Sequence, residues 1–310
     1  MYISPQIRSM ECPPRRVLEL FAGIGGLAAA WPEAELAGAI DIDLRAQQIY
    51  QQNFPHAYRI AELESLTATE LTAYSADCWW MSPPCQPFTR RGLGRDVSDP
   101  RCGALKRLVE LLADCRPAEL ALENVVGFEG SQAHRLLLDQ LSSLGYHCMS
   151  RRLCPTEMGW PNRRPRFYLL ASRGPLPAWR LPPRLQCRLA DVIDATLVPG
   201  SAEVAQYVLA EAVSQRYYSA LDRVDGDSST TACFASSYGR STVRAGSYLM
   251  CGSGYRRFTP REVARLLGFS DAFRLDHVDV RAAWKLLGNS LSLPCVRYVL
   301  WHFNQPDVLA

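Results

Sequence analysis

Residues 16–26 read Arg16-Val-Leu-Glu-Leu-Phe-Ala-Gly-Ile-Gly-Gly26. Arg16 to Leu20 reads as a short buried strand. The glycine turn Phe21 to Gly26 follows without a spacer, and Leu27 to Trp31 begins a helix. Strand, glycine turn and helix in this order form the opening unit of a ligand-binding α/β sheet, where the backbone can approach a ligand closely. A second apolar run, Leu36 to Ile40, ends in Asp41, whose carboxylate is placed to accept hydrogen bonds from ribose hydroxyls. The turn lacks both GxGxxG and GxxxxGK[ST] spacing, which disfavours a dinucleotide or a nucleoside triphosphate. A nucleoside without phosphates fits best. Taken alone, the turn reads equally well as simple packing between strand and helix.

Outward from this unit the alternation continues. Helical spacing over Arg45 to Asn53 places Ala46, Ile49 and Tyr50 on one face. Strand-like runs recur at Asp77 to Met81, Leu120 to Glu123 and Phe167 to Ala171. Helices are expected around Leu105 to Cys115 and Arg135 to Leu144. This pattern predicts a doubly wound α/β sheet. Prolines cluster from Pro175 to Pro183, and the stretch to about Arg257 is irregular and rich in Ser, Gly and Tyr. It reads as a smaller domain that does not continue the sheet. Helical pattern returns at Thr259 to Leu267, with Thr259 as N-cap and Pro260 in the first turn. The chain closes with Trp284 to Ser290 and an apolar helix near Pro294 to Phe303.

Composition narrows the class. The chain has 310 residues, 48% apolar and 21% charged, as expected of a globular enzyme with one large domain or one carrying an insert. No apolar run approaches the roughly 18 residues that span a bilayer. The first residues lack a signal peptide's apolar stretch, so a cytoplasmic protein is expected. Its 11 cysteines include no CxxC pair and no zinc spacing, so no metal site is predicted. The net charge of only +3 means that a nucleic-acid partner must be held by a local basic face.

One cysteine stands apart. In Ser82-Pro-Pro-Cys-Gln-Pro87, Pro83 and Pro84 restrict the backbone before Cys85, and Pro87 restricts it after. A loop held this stiffly after a strand can fix a thiol against a substrate. Among eleven cysteines the ordinary role is structural, and the proline frame shifts that balance only partly.

Six segments together resemble the cytosine-5 methyltransferase family of the DNA methyltransferases. They are Glu19-Leu-Phe-Ala-Gly-Ile-Gly-Gly26, Ser82-Pro-Pro-Cys-Gln-Pro-Phe88, Glu123-Asn-Val125, Asn162-Arg-Arg-Pro-Arg166, Thr259-Pro-Arg-Glu262 and Gly288-Asn-Ser290. They fall in the family's order and cover nearly the whole chain; Asn162 stands where the family usually has glutamine. The resemblance implies an α/β, Rossmann-like fold that binds S-adenosyl-L-methionine (AdoMet), with a small inserted target-recognition domain. On that reading residues 1–175 and 276–310 are catalytic and 176–275 recognise the target. It implies that Cys85 attacks C6 of cytosine, that Glu123 hydrogen-bonds N3 and the exocyclic amine, and that Arg166 contacts O2. Arg164 would help hold the phosphate or the Cys85 loop. Phe21, Gly23, Ile24, Gly25, Asp41, Ile42, Leu63, Pro83, Asn289 and Ser290 would line the cofactor pocket, S-adenosyl-L-homocysteine being the product.

Cys233-Phe-Ala-Ser-Ser-Tyr-Gly-Arg240 is similar to a segment of the branch that methylates cytosine 38 of aspartate tRNA. Ala235 replaces that branch's Thr. Cys233, Phe234, Tyr238 and Arg240 are therefore expected at the nucleic acid, with tRNA as partner and DNA as runner-up. Arg216, Arg223, Arg240, Arg244, Arg256 and Arg257, interleaved with Tyr217, Tyr218, Tyr238 and Tyr255, could contact phosphate and stack on bases, or be solvated and core residues. A loop cytosine is already partly unstacked, so its extrusion costs less than in a duplex. Expectations are a monomer and no membrane contact; a restriction–modification DNA enzyme and a non-catalytic nucleic-acid-binding relative are the rivals.

Overall fold

The computed structural model describes residues 5–8, 10, 12, 14–88 and 96–304. The chain divides into two compact units.

One unit comprises Met10–Leu153, Pro165–Leu181 and Cys295–Ala310. Its strands are β1 (Arg16–Leu20), β2 (Glu35–Asp41), β3 (Tyr58–Ile60), β4 (Cys78–Met81), β5 (Glu119–Val125), β6 (His147–Leu153) and β7 (Arg166–Ser172). They form one sheet in the order β3-β2-β1-β4-β5-β7-β6. Strands β1 to β5 pair parallel, whereas β7 runs antiparallel to both of its neighbours. Helices α1 (Gly26–Ala30), α2 (Leu44–Asn53), α3 (Ala68–Thr72), α4 (Gly103–Cys115) and α5 (Gln132–Ser143) alternate with the strands. The central strands are buried along nearly their whole length, which is why they read as unbroken apolar runs. Leu18, Leu20, Trp79, Met81, Leu120, Leu122, Phe167 and Leu169 belong to one core with the inner faces of α4 and α5. Asp43 caps α2, Thr67 and Glu70 form a capping box on α3, and Ser131 caps α5.

The expected strands and helices of this sheet are present. Three elements were not anticipated: β3, α3 and β6. Strand β6 lies at the sheet edge and is mostly exposed, so it carries no apolar signature.

The other unit comprises Met1–Ser9, Cys154–Arg164 and Pro182–Pro294. It contains α6 (Ala202–Ala205), α7 (Glu211–Arg216), β8 (Asp222–Val224), β9 (Ser247–Cys251), β10 (Gly254–Arg257), α8 (Pro260–Leu267) and α9 (Val280–Asn289), while α10 (Leu293–Trp301) carries the chain out of it. The irregular reading of this region missed a small sheet in the order β10-β9-β8, because its strands are only three to five residues long. The predicted cap of α8 holds: Thr259 and Glu262 form a capping box, and Gly268 closes the helix at φ 97°. The buried Arg256 guanidinium forks onto Glu262 at 2.7 and 2.8 Å. Phe234, Tyr238, Phe258 and Trp284 form an edge-to-face aromatic cluster, with ring centroids 4.9 to 5.4 Å apart in successive pairs.

Candidate active site

Parallel β1 and β4 lie side by side while the chain winds away from them in opposite directions. Such a reversal leaves a crevice at the carboxyl ends of the strands, where ligands of open α/β sheets bind. Three groups of predicted residues lie at these strand ends.

The first is the glycine turn after β1. Phe21, Gly23 and Gly25 all have left-handed backbones, at φ 58°, 52° and 85°. A side chain on Gly25 would come within 2.4 Å of the Phe54 ring, so this glycine lets the turn lie against α2. Gly23 faces open space instead: a Cβ there would meet nothing within 4 Å. The Gly23 amide donates to Asp41 Oδ2 at 2.8 Å, and the Ile42 and Asp43 amides donate to Oδ1 at 2.7 and 2.9 Å. Burial raises the Asp41 pKa, and these three amides oppose the shift. Ile42 is exposed, Ile24 and Leu63 are buried, and Pro83 follows β4. An open glycine cradle beside a fixed carboxylate suits a nucleoside cofactor. Within the turn's support, Glu19 accepts from the Leu27 amide at 3.2 Å and from the Tyr50 hydroxyl at 3.4 Å.

The second group is the loop after β4. Ser82 donates from its amide to Leu20 O at 3.4 Å and from its hydroxyl to Phe21 O at 3.1 Å, tying the two strand ends together. Asn124 donates from Nδ2 to Pro83 O at 3.2 Å, which holds the proline pair from the neighbouring strand. Half-buried Cys85 sits in the turn that follows, its carbonyl accepting from the Phe88 amide at 3.0 Å. Gly127 lies so near this turn that a Cβ would come within 2.2 Å of Phe88 O. Beyond the loop, Arg101 donates from Nε and Nη2 to buried Asp99 at 2.8 and 2.6 Å.

The third group is Glu123 and Arg166. Strands β5 and β7 pair antiparallel with Val125 opposite Arg166 and Glu123 opposite Tyr168. Glu123 and Arg166 are therefore diagonal neighbours on one face, and Arg166 Nε lies 3.1 Å from Glu123 Oε1. Their side chains are only 9% and 13% exposed, so this charge pair is largely withdrawn from water. Parallel pairing sets Met81 beside Leu122, which brings Glu123 to the level of Ser82, at the base of the Cys85 loop.

The remaining predicted residues belong to the other unit. Arg164 is buried at 3% exposure and does not offer its charge to a phosphate. It donates to the Cys233 sulfur and the Phe234 carbonyl at 3.4 Å, to Gly288 O at 3.2 Å, and also to Ser290 O. Its work here is to staple the Cys233–Arg240 segment to the end of α9. Gly288 permits that close approach, since a Cβ would meet Ser236 N at 2.4 Å. Asn289 ends α9 and Ser290 is its C-cap. Buried Asn162 donates to Thr231 Oγ1 and Ala232 O, both at 3.1 Å, anchoring the two residues just before that segment.

Phe234 and Tyr238 are also interior, at 3% and 0% exposure. The Tyr238 hydroxyl donates to Ser247 O at 2.6 Å and accepts from the Phe258 amide at 2.9 Å. As placed, these two rings support the segment instead of facing a nucleic acid, while Cys233 is half-buried and Arg240 exposed. Sequence reasoning gave no role to Ser82, Asn124 or Gly127. Ser82 and Asn124 stand within the motifs given above, but what they hold is across the sheet and invisible in one dimension.

Sheet order, glycine turn and proline-framed loop together define a Rossmann-like methyltransferase domain. The chain belongs to the C-5 cytosine-specific DNA methylase family, whose profile matches residues 15–186 and 201–303. It is 31% identical to the tRNA (cytosine(38)-C(5))-methyltransferase of Schizosaccharomyces pombe, over 94% of this chain and 97% of that protein. The Homo sapiens protein of the same name is 29% identical, over 91% and 97%. The crystal structure of S. pombe Dnmt2 methyltransferase superposes with a TM-score of 0.82 at 29% identity, covering 93% of this chain and 98% of that one. Among the described residues no helix is long and apolar enough to cross a membrane.

Proposed function

We propose that this chain methylates C5 of cytosine 38 in the anticodon loop of a tRNA, tRNA-Asp first among candidates. Cys85 is the nucleophile. The observation that carries the chemistry is the Glu123–Arg166 pair at 3.1 Å, set by strand pairing at the base of the Cys85 loop. Attack of the Cys85 sulfur on C6 removes the ring's aromaticity and places electron density at C5 and N3. Glu123, carrying a proton, gives it to N3 as that density develops, its other oxygen accepting from the exocyclic amine, and Arg166 holds both Glu123 and O2 of the base. Loss of the C5 proton after transfer lets Cys85 leave.

AdoMet supplies an electrophilic methyl group when bound. Its nucleoside suits the open cradle at Gly23 and the Asp41 carboxylate, with Phe21, Ile24, Gly25, Ile42, Leu63 and Pro83 around them. Asn289 and Ser290 are assigned to the same pocket on the family's pattern. Residues 176–275 are assigned as the target-recognition domain and 1–175 with 276–310 as the catalytic domain. The protein is assigned as a cytoplasmic monomer.

Choice of tRNA rests on the two relatives bearing that name, which match over more than nine-tenths of this chain. Incubation with labelled AdoMet and either total tRNA or genomic DNA tests it. Label in tRNA, abolished by Cys85→Ala, is expected. Label only in DNA overturns the substrate; no label in either favours a binding protein.

A further inference from the structure

The small sheet has two unlike faces. Val224, Leu249 and Arg256 occupy one, buried, with Arg256 neutralised by Glu262. Arg223, Tyr248, Met250, Tyr255 and Arg257 fall on the other by the period-two alternation of strands, Tyr248 being fully buried and the rest at least partly open to solvent. On that face Met250 is 54% exposed and Tyr255 half-buried. Tyr218, from the turn after α7, is 52% exposed and stands over Arg223. The Arg223 guanidinium carbon lies 3.9 Å from the Tyr218 ring centroid and 5.9 Å from that of Tyr255, and Nη1 donates to the Tyr255 hydroxyl at 3.4 Å. Nearby, the Arg216 guanidinium lies 5.3 Å from the Tyr217 ring.

Among the described residues neither Arg216 nor Arg223 forms a salt bridge, and both are exposed. Arg223 is thus held in place by rings that leave its charge uncompensated. This combination matches two parts of an unpaired nucleotide: a guanidinium fork suits a phosphate, and an exposed ring stacks on a base.

We infer that Tyr218, Arg223 and Tyr255 form a binding platform for an unpaired nucleotide of the RNA substrate, distinct from the methylated base. This rests on the tRNA reading above. A paired strand offers its phosphates but not its base faces, so the platform discriminates single-stranded from duplex RNA.

The test is fluorescence anisotropy with the full-length protein, using a tRNA anticodon stem-loop and a fully paired two-strand RNA duplex with the same number of nucleotides. Tyr218→Ala and Arg223→Ala should each raise Kd for the stem-loop about 5- to 100-fold, the range for removing one base stack. Tyr218→Phe keeps the ring and should stay within about twofold. For duplex binding, Tyr218→Ala should change nothing. In methyl transfer, KM for tRNA should rise while kcat holds. Tyr218 is exposed, so a matched melting temperature will separate binding from folding. An unchanged stem-loop Kd in Tyr218→Ala overturns the inference, as does an equal loss on both RNAs. Should the wild type label DNA alone, it is the tRNA reading that fails, and the comparison of the two RNAs still judges the platform.

Discussion

Arg166 Nε lies 3.1 Å from Glu123 Oε1, and the two side chains meet because β7, not β6, lies beside β5. Each charge is kept in a partly dry site by the other. Glu123→Gln keeps shape and hydrogen-bonding capacity but has no proton to give to N3, so methyl transfer should fall by at least about 100-fold. Arg166→Ala strands the Glu123 carboxylate and should cost on the order of 3 kcal/mol of stability, whereas Arg166→Lys should cost less. Chemical denaturation alongside single-turnover methylation separates the two effects. Equal activity in Glu123→Gln and wild type would remove Glu123 from the chemistry.

Gly127 offers a test of the loop's support. Any side chain there collides with the Phe88 carbonyl, which is backbone and cannot swing aside. Gly127→Ala should displace the Cys85 turn, cutting kcat about 10- to 100-fold while AdoMet binding is retained. The rate of Cys85 alkylation, compared with wild type, reports the displacement directly.

The two glycines of the cofactor turn should behave differently. Gly25→Ala combines a left-handed backbone with a 2.4 Å clash against Phe54, so it should lower stability by about 1–3 kcal/mol. Gly23→Ala has a left-handed backbone but open space, so strain alone costs roughly 1–2 kcal/mol. Its methyl group enters the proposed nucleoside cradle, and calorimetry should show S-adenosyl-L-homocysteine affinity falling more than tenfold. Unchanged affinity in Gly23→Ala would place the cofactor elsewhere.

Glu19 predicts a pH dependence of stability. Burial pushes its pKa up to about 8, against opposing hydrogen bonds from the Leu27 amide and the Tyr50 hydroxyl. A carboxyl whose folded pKa is raised binds its proton more tightly when folded. Its contribution is complete below the unfolded pKa near 4.5 and is lost as pH rises through about 8. Glu19→Gln imitates the protonated form, so the melting temperatures of variant and wild type should diverge between pH 6 and pH 9, with the variant the more stable at pH 9. Parallel curves over that window would show that Glu19 does not titrate there.

Much of the sheet was legible because β1, β2, β4, β5 and β7 are buried along most of their length and are therefore mainly apolar. Edge strands β3 and β6 and the short strands β8 to β10 escaped, since half-exposed residues are free to be polar. The glycine turn, the proline frame of Cys85 and the capping box of α8 are local devices, so each was readable from consecutive residues.

Partnerships across the fold were not. Glu123 and Arg166 stand forty-three positions apart, and only the antiparallel register of β5 with β7 makes them neighbours. Arg164 and Arg166, two residues apart and alike on paper, go to different work: one staples the Cys233–Arg240 segment, the other grips Glu123. Phe234 and Tyr238 looked like ligand contacts and are core. Residue type and local spacing constrain what chemistry a chain can carry, because backbone conformation responds to its immediate neighbours. Which side chains are buried, paired or left facing water depends on strand order and register, which long-range packing alone sets.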